Sequence, residues 1–318
     1  MARFIARRLL QMLPVLFFVT LIIFGLINLI PGDAARLFLG EEATPDAVAA
    51  LRHELGLDQP LYVQYARWIG RMAHGDFGYS FKDHRPVLET LLQKLPITAE
   101  LTAGALVIAW ALAIPAGVVA AWRQRTAVDY GASAVALGGL SIPNFWLGIM
   151  LIYLFAVHLR WLPASGFVPL SQGVGRNLRA LLMPAFNLGI VLAAVVMRQL
   201  RSSMVEVMSA DFVRTARAKG LGQTVVLVRH ALRNAVIPVI TVMGLQLGTL
   251  LGGAIITETI FAVPGLGQLA VNSIYSRDYP MLEGVVIASA VAILAVNLFV
   301  DIVYSLIDPR IKLAGSRS

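Results

Sequence analysis

From Leu9 to Ile30 the chain carries 22 residues without a single charge, and sixteen of them are Leu, Ile, Val or Phe. A helix of that length crosses a hydrocarbon core of about 30 Å. Each of those sixteen side chains contributes roughly −0.3 to −0.6 kcal/mol at mid-membrane, a sum of about −7 kcal/mol as an upper bound. Gln11 and Asn28 lie near the ends and do not reverse it. A cleaved signal peptide has an apolar core of only about 7 to 15 residues and a small-x-small exit. The run is therefore expected to be a retained transmembrane helix.

Five further apolar stretches follow, at 98–121, 133–157, 180–197, 235–256 and 284–306. The fourth is the weakest, because Pro184 and Asn187 interrupt it. Charged residues make up only 14% of the chain, where a soluble domain carries roughly a quarter. The expected fold is an all-α integral membrane protein with six transmembrane helices and both termini on one side. With the N-terminus inside, the inner segments hold 15 Lys/Arg and five acids, the outer ones 11 Lys/Arg and 13 acids. The net +8 thus divides into +10 inside and −2 outside, as the positive-inside rule requires. The basic balance is a topology signal, and no nucleic-acid motif accompanies it.

Three regions are expected: 1–30 with the first span, an extracytoplasmic helical insertion over 31–97, and a five-helix core over 98–318 that includes a cytoplasmic loop at 198–234. In the insertion, Thr44-Pro45-Asp46 gives a hydroxyl cap, a proline at the first helical position and an acid near the positive helix end. Gly56 can close that helix. A second follows Asp58-Gln59-Pro60, with Tyr62, Tyr65, Ile69 and Met72 at helical spacing, and ends in a loop at Gly75–Phe81 (GDFGYSF).

The chain shows no catalytic apparatus. It has no GxxxxGK[ST], HExxH or GxSxG. Its five histidines have no ligand spacing, and it has no cysteine, hence no disulfide or thiol chemistry. Glu100 and Asp301 lie near helix ends, where an acid can reach an interface, and the shortage of mid-membrane acids speaks against a proton relay. Ser141, Asn144, Asn187, Thr249 and Asn297 can line a wet path or pin helices together. Gly244, Gly248 and Gly252 recur every four residues and form one small-residue face. That face suits packing within the chain or a subunit interface beside a pathway.

The stretch Met208–Thr241 is a basic island between apolar spans. Ser209 can cap a helix running to Lys219, Gly220 fits its C-terminal stop, and Thr224 can start a second helix ending near Asn234. Such a hairpin can lie on anionic lipid or serve as a socket for a cytoplasmic protein. The small residues Ala216, Ala218 and Gly220 would let a partner close on the backbone.

RTARAKGL, followed eight residues later by RHALRNAVIPV, resembles the cytoplasmic loop of permease subunits of binding-protein-dependent ABC importers. GLDQPLYVQYARWIGRMAHGDFGYS (56–80), SIPNFWLG (141–148), ETIFAVPGLGQLAVNSIYSRDYP (258–280) and DPRIK (308–312) resemble the dipeptide/oligopeptide/nickel branch of that family. The resemblance covers nearly the whole chain. It implies an ATPase-coupling element at Arg214, Thr215, Ala216, Arg217, Ala218, Lys219, Gly220 and Leu221, with Gly220 as the motif glycine. Where the family has Glu-Ala-Ala before that glycine, only Ala216 fits, and Ile-x-Leu-Pro is replaced by His230-Ala231-Leu232-Arg233. It further implies a second homologous permease, two cytoplasmic ATPase subunits that hold ATP and Mg, and an extracytoplasmic substrate-binding protein. The chain itself would hold no cofactor. The expected function is import of short peptides or related small ligands across a bacterial inner membrane. The alternatives are an ion-coupled secondary transporter and a non-transporting scaffold.

Overall fold

In the computed structural model the apolar runs are helices, and most extend well beyond the charge-free stretches. The structure describes residues 2–29, 34–39 and 43–307. DPRIK and the basic tail lie outside them. Helices α1 (Ala2–Leu29), α5 (Val87–Trp122), α8 (Val174–Met208), α10 (Gln223–Ile260) and α12 (Tyr279–Ile307) are each long and apolar enough to span a membrane. The described residues fall into two compact units, one of 1–97 with 264–294 and the other of 98–263 with 295–318. The division falls inside α5 and α12.

In the first unit the insertion folds by local chemistry. After α2 (Ala34–Leu39), α3 (Pro45–Leu55) opens with the Thr44 hydroxyl accepting from the Ala47 N–H at 3.3 Å and closes on Gly56 in the left-handed region. Helix α4 (Leu61–Ala73) lays Tyr65, Trp68, Ile69 and Met72 against Ile23, Phe24 and Ile27 of α1 and Ile287 of α12. Trp68 donates its indole N–H to Glu283 at 2.7 Å, and the Thr20 and Tyr65 hydroxyls bond at 2.9 Å. Tyr62 departs from the expected stripe: it is 75% exposed. Trp68, three residues after Tyr65 and four before Met72, takes its place in the packed face. Beyond the 75–86 loop, α11 (Leu266–Tyr275) follows the Pro264-Gly265 turn and packs Leu266 with Val87, Leu91, Met281 and Val285.

In the second unit α8 is the central post. It packs on α10, on α6 (Ala127–Ser141) and on α7 (Asn144–His158). The stretch that reads as the weakest span is thus the most buried helix among the candidate spans. Pro184 does not end it, and Asn177 and Asn187 face protein partners rather than lipid. Small residues let α5 approach closely: a Cβ on Gly189 would sit 2.5 Å from the Ala105 carbonyl oxygen. Such close backbone contact is how membrane helices gain packing energy.

The third expected span is broken. α6 and α7 meet at an angle of 100° across Ile142-Pro143. Proline lacks the N–H that a continuing helix needs and disfavours helical backbone at the residue before it. Ile142 accordingly adopts φ −78°, ψ 125°. Among the described residues a sixth crossing therefore exists only as this bent pair.

Candidate functional site

The basic island is built on the end of α8. Ser209 does not cap the next helix as its position predicts. Its hydroxyl donates back to the Glu206 carbonyl at 2.7 Å and finishes α8, while Ala210 takes the extended cap position. Helix α9 (Asp211–Ala218) follows. Thr215 donates to the Asp211 carbonyl at 2.9 Å, and Arg214 lies 3.4 Å from the Asp211 carboxylate, both side chains exposed. Lys219 follows, and Gly220 ends the turn at φ +75°, its N–H donating to Arg217 at 2.9 Å. That conformation costs any residue with a Cβ about 1–2 kcal/mol. The space around Gly220 is otherwise open.

The inner face of α9 is welded to its surroundings. Val213 and Ala216 are buried with Val226 and pack on Val207 of α8. This corrects the reading of Ala216 as clearance for a partner; only Ala218 and Gly220 of the three small residues are exposed. Outward stand Phe212, Arg214, Arg217, Lys219 and Leu221. Two apolar side chains among three cations have the make-up of a docking patch with a polar rim. The second island helix does not end near Asn234. It continues as α10 to Ile260 through a wide turn at Val226–Leu232 that buries Val226, Leu227 and Ala231. Asn234 donates instead to the His230 carbonyl at 2.7 Å, and Pro238 is accommodated within the helix.

The polar residues within the spans separate into two groups. Asn187 and Thr257 are fully buried, and the Thr257 hydroxyl accepts from Asn187 at 3.3 Å and from Asn144 at 3.5 Å. Glu258, also fully buried, accepts from Thr98 at 2.6 Å. These contacts tie α7, α8, α10 and α5 together. The carbonyl oxygens of Asn144 and Asn187 have no hydrogen-bond partner there. Ser141 stands apart, exposed at the break and bonded to its own helix at 2.9 Å. Glu100, expected near a helix end, lies instead well inside α5, because that helix starts at Val87, and it accepts from the Asn177 amide at 2.5 Å.

The glycine face also divides. A Cβ at Gly244 would collide with Val300 of α12, so this glycine serves packing within the chain. Gly248 is half-buried, and Gly252 is exposed with open space beside it.

Sequence reasoning missed three polar contacts. Glu258 lies at the outer edge of an apolar run. Asp129, 2% exposed at its side chain, accepts from Arg201 at 2.5 and 2.7 Å and from the Arg125 N–H at 2.9 Å. Both partners had counted only as inner-side charges. Asp278 gathers the 80–81 loop, accepting from the Ser80 hydroxyl at 2.5 Å and the Phe81 N–H at 3.0 Å. Among the described residues no three His, Asp or Glu side chains are arranged to hold a metal ion.

Residues 113–313 match the family model described as binding-protein-dependent transport system inner membrane component, and residues 1–102 match that of the corresponding N-terminal region. The dipeptide transport system permease protein DppB of Alkalihalophilus pseudofirmus is 42% identical over 332 residues, covering 98% of this chain and 100% of that protein. The di/tripeptide permease DppB of Pseudomonas aeruginosa is 43% identical over 333 residues, 98% and 99% of the two chains. DppB of Escherichia coli K12 is 42% identical over 336 residues, again 98% and 99%. Among solved structures, an inward-facing form of the MetNI methionine ABC transporter superposes with a TM-score of 0.58 at 16% identity, covering 70% of this chain and 97% of that one. At that identity the likeness is one of fold.

Proposed function

Because this chain belongs to the family of binding-protein-dependent transport system inner membrane components, we propose that it is one permease half of an ATP-driven importer that moves short peptides into the cytoplasm. A second homologous permease completes the pathway, two cytoplasmic ATPase subunits supply ATP and Mg, and an extracytoplasmic binding protein delivers the substrate. The regions keep the roles their sequences imply: an outer insertion at 31–97 and a transporting core at 98–318 with its coupling loop at 198–234. Peptide as cargo rests on near-full-length identity above 40% to dipeptide permeases.

The observation that carries the coupling role is the two-faced α9. Its inner face is fixed to α8 and α10, and its outer face presents Phe212, Arg214, Arg217, Lys219 and Leu221 around the exposed Gly220. A helix lying on lipid would direct its apolar side to the bilayer; here Val213 and Ala216 are already spent inside the protein. Arg214–Leu221 is thus read as the ATPase socket. Asn144 belongs to the polar tie beside the pathway and Ser141 to the exposed break. Gly252 offers the second permease a close approach that Gly244, filled by Val300, does not, and the half-buried Gly248 continues that face.

Reconstitution tests the whole reading. In proteoliposomes holding all subunits, labelled dipeptide uptake will require ATP and the binding protein and will persist when ion gradients are collapsed. Uptake that follows an ion gradient without ATP would sink it, as would no uptake at all.

The inner location of both termini and of α9 rests on the charge split and is tested separately. Cysteines replacing exposed Tyr62 and Tyr275 will react with an impermeant thiol reagent added outside sealed cells, and one replacing Gln223 will not. Outside labelling at Gln223 would overturn this topology.

A further inference from the structure

Resting on that functional reading, we infer that the cleft beside the 80–86 loop is a seat for acidic side chains of the extracytoplasmic binding protein. The cleft is a cavity of about 260 Å³ within the first unit, walled by the loop, the start of α5 and α11. Lys82 and Arg85 line it from the loop and Lys94 from α5, and among the described residues none of the three forms an ion pair. Two carboxylates share the lining. Asp278 is committed to the loop through Ser80 and Phe81 and to Met281 at 3.4 Å, while Asp83 is exposed at the rim. Three cations therefore face one uncommitted carboxylate.

Two arguments identify the occupant. First, this cationic cluster lies within thirteen residues of a segment that the topology places outside, where the charge count is otherwise net acidic. Membrane insertion disfavours Lys and Arg on the outer side within about 15–20 residues of a span, so insertion does not account for the cluster. Unpaired like charges held on a rigid frame raise the local concentration of an oppositely charged partner and speed its association. The frame here is rigid: Asp278 pins Ser80 and Phe81, and Val87 and Leu91 lie buried under the loop. Second, size favours a side chain over a whole ligand. Cavities that engulf a small-molecule ligand run about 300–1,000 Å³. This one is smaller and is rimmed by exposed Lys82 and Arg85. It fits one or two Asp or Glu side chains on a protein surface. Asn272 in the wall adds an amide group suited to a carboxylate, while the Gln93 amide already donates to Glu89 at 3.2 Å.

The test uses the full complex in neutral phosphatidylcholine vesicles, with the binding protein that restores ATP-dependent uptake as the probe. The concentration of substrate-loaded binding protein giving half-maximal ATPase stimulation is measured at low and high salt. For the Lys82→Glu/Arg85→Glu/Lys94→Glu variant that concentration will rise about tenfold or more at low salt. Its salt dependence will fall, and the maximal rate will be unchanged. The Lys82→Gln/Arg85→Gln/Lys94→Gln variant removes charge without adding repulsion and will shift it by a smaller factor in the same direction. Unchanged half-saturation and salt dependence in both variants, with uptake intact, would overturn the inference. So would a shift that appears only when anionic phosphatidylglycerol is added, since the seat would then hold lipid. Loss of ATP-driven uptake in the wild-type complex would bring down the functional reading, and this inference with it.

Discussion

Replacing Gly220 by tryptophan will leave the chain inserted and paired with its second permease, yet will abolish substrate-stimulated ATP hydrolysis and uptake. Gly220 ends α9 at φ +75°, where a Cβ costs about 1–2 kcal/mol. That cost alone does not unfold a helix whose Val213 and Ala216 are buried. Among the described residues nothing but its chain neighbours lies within 4 Å of a Cβ at this position, so the new side chain starts into open space. On the proposed reading it would stand where the ATPase closes. Gly220→Ala carries the backbone cost without the bulk and will reduce coupling only partly. Arg214→Glu will do less than tryptophan, because an exposed ion pair such as Arg214–Asp211 is worth about 0–1 kcal/mol. ATPase rate and peptide uptake in proteoliposomes read all three. Wild-type coupling in Gly220→Trp would reduce the island to a membrane-surface hairpin.

The second large effect concerns Arg201. Its guanidinium holds the buried Asp129 carboxylate through two hydrogen bonds. Arg201→Leu leaves that carboxylate with only the Arg125 N–H. Removing one partner of a buried pair costs about 3–5 kcal/mol, and the lower end applies because the Arg201 side chain keeps 29% of its surface. The purified complex should melt at a measurably lower temperature than wild type. The Asp129→Leu/Arg201→Leu double variant removes both charges and will recover most of the loss. A double variant as unstable as the sum of the singles would mean that the two residues act independently.

These residues also show where a sequence is transparent and where it is not. Thr44, Pro45 and Gly56 reveal a helix because capping is local chemistry, and charge-free runs reveal spans because lipid is a uniform solvent. Gly220 was legible for the same reason as Gly56. The extent of α8 was not, because Asn177 and Asn187 are tolerated by partners far away in sequence. The bend at Pro143 had a local signal, yet proline continues unbroken through α8 and α10, so that signal does not discriminate alone. Asp129 and Arg201, 72 positions apart, carry no mark of their pairing. Ala216 was legible as small but not as buried, since which face of a short helix turns inward depends on Val207 and Val226.

The seating of α9 has a mechanical consequence. Val207 lies at the foot of α8 and Val226 at the foot of α10, and α9 grips both. A pull on α9 cannot draw one of these helices without the other; it acts as a yoke across two levers. α8 has 35 residues, a rod of about 52 Å at 1.5 Å per residue. Farther along, Asn187 on α8 and Thr257 on α10 join the same two rods by a hydrogen bond. The pair is fastened at its base and again along its length, so it resists shearing and answers a tug by tilting together. Pro184 and Pro238, one inside each rod, each lack a backbone hydrogen bond, which makes them the points where flexing costs least.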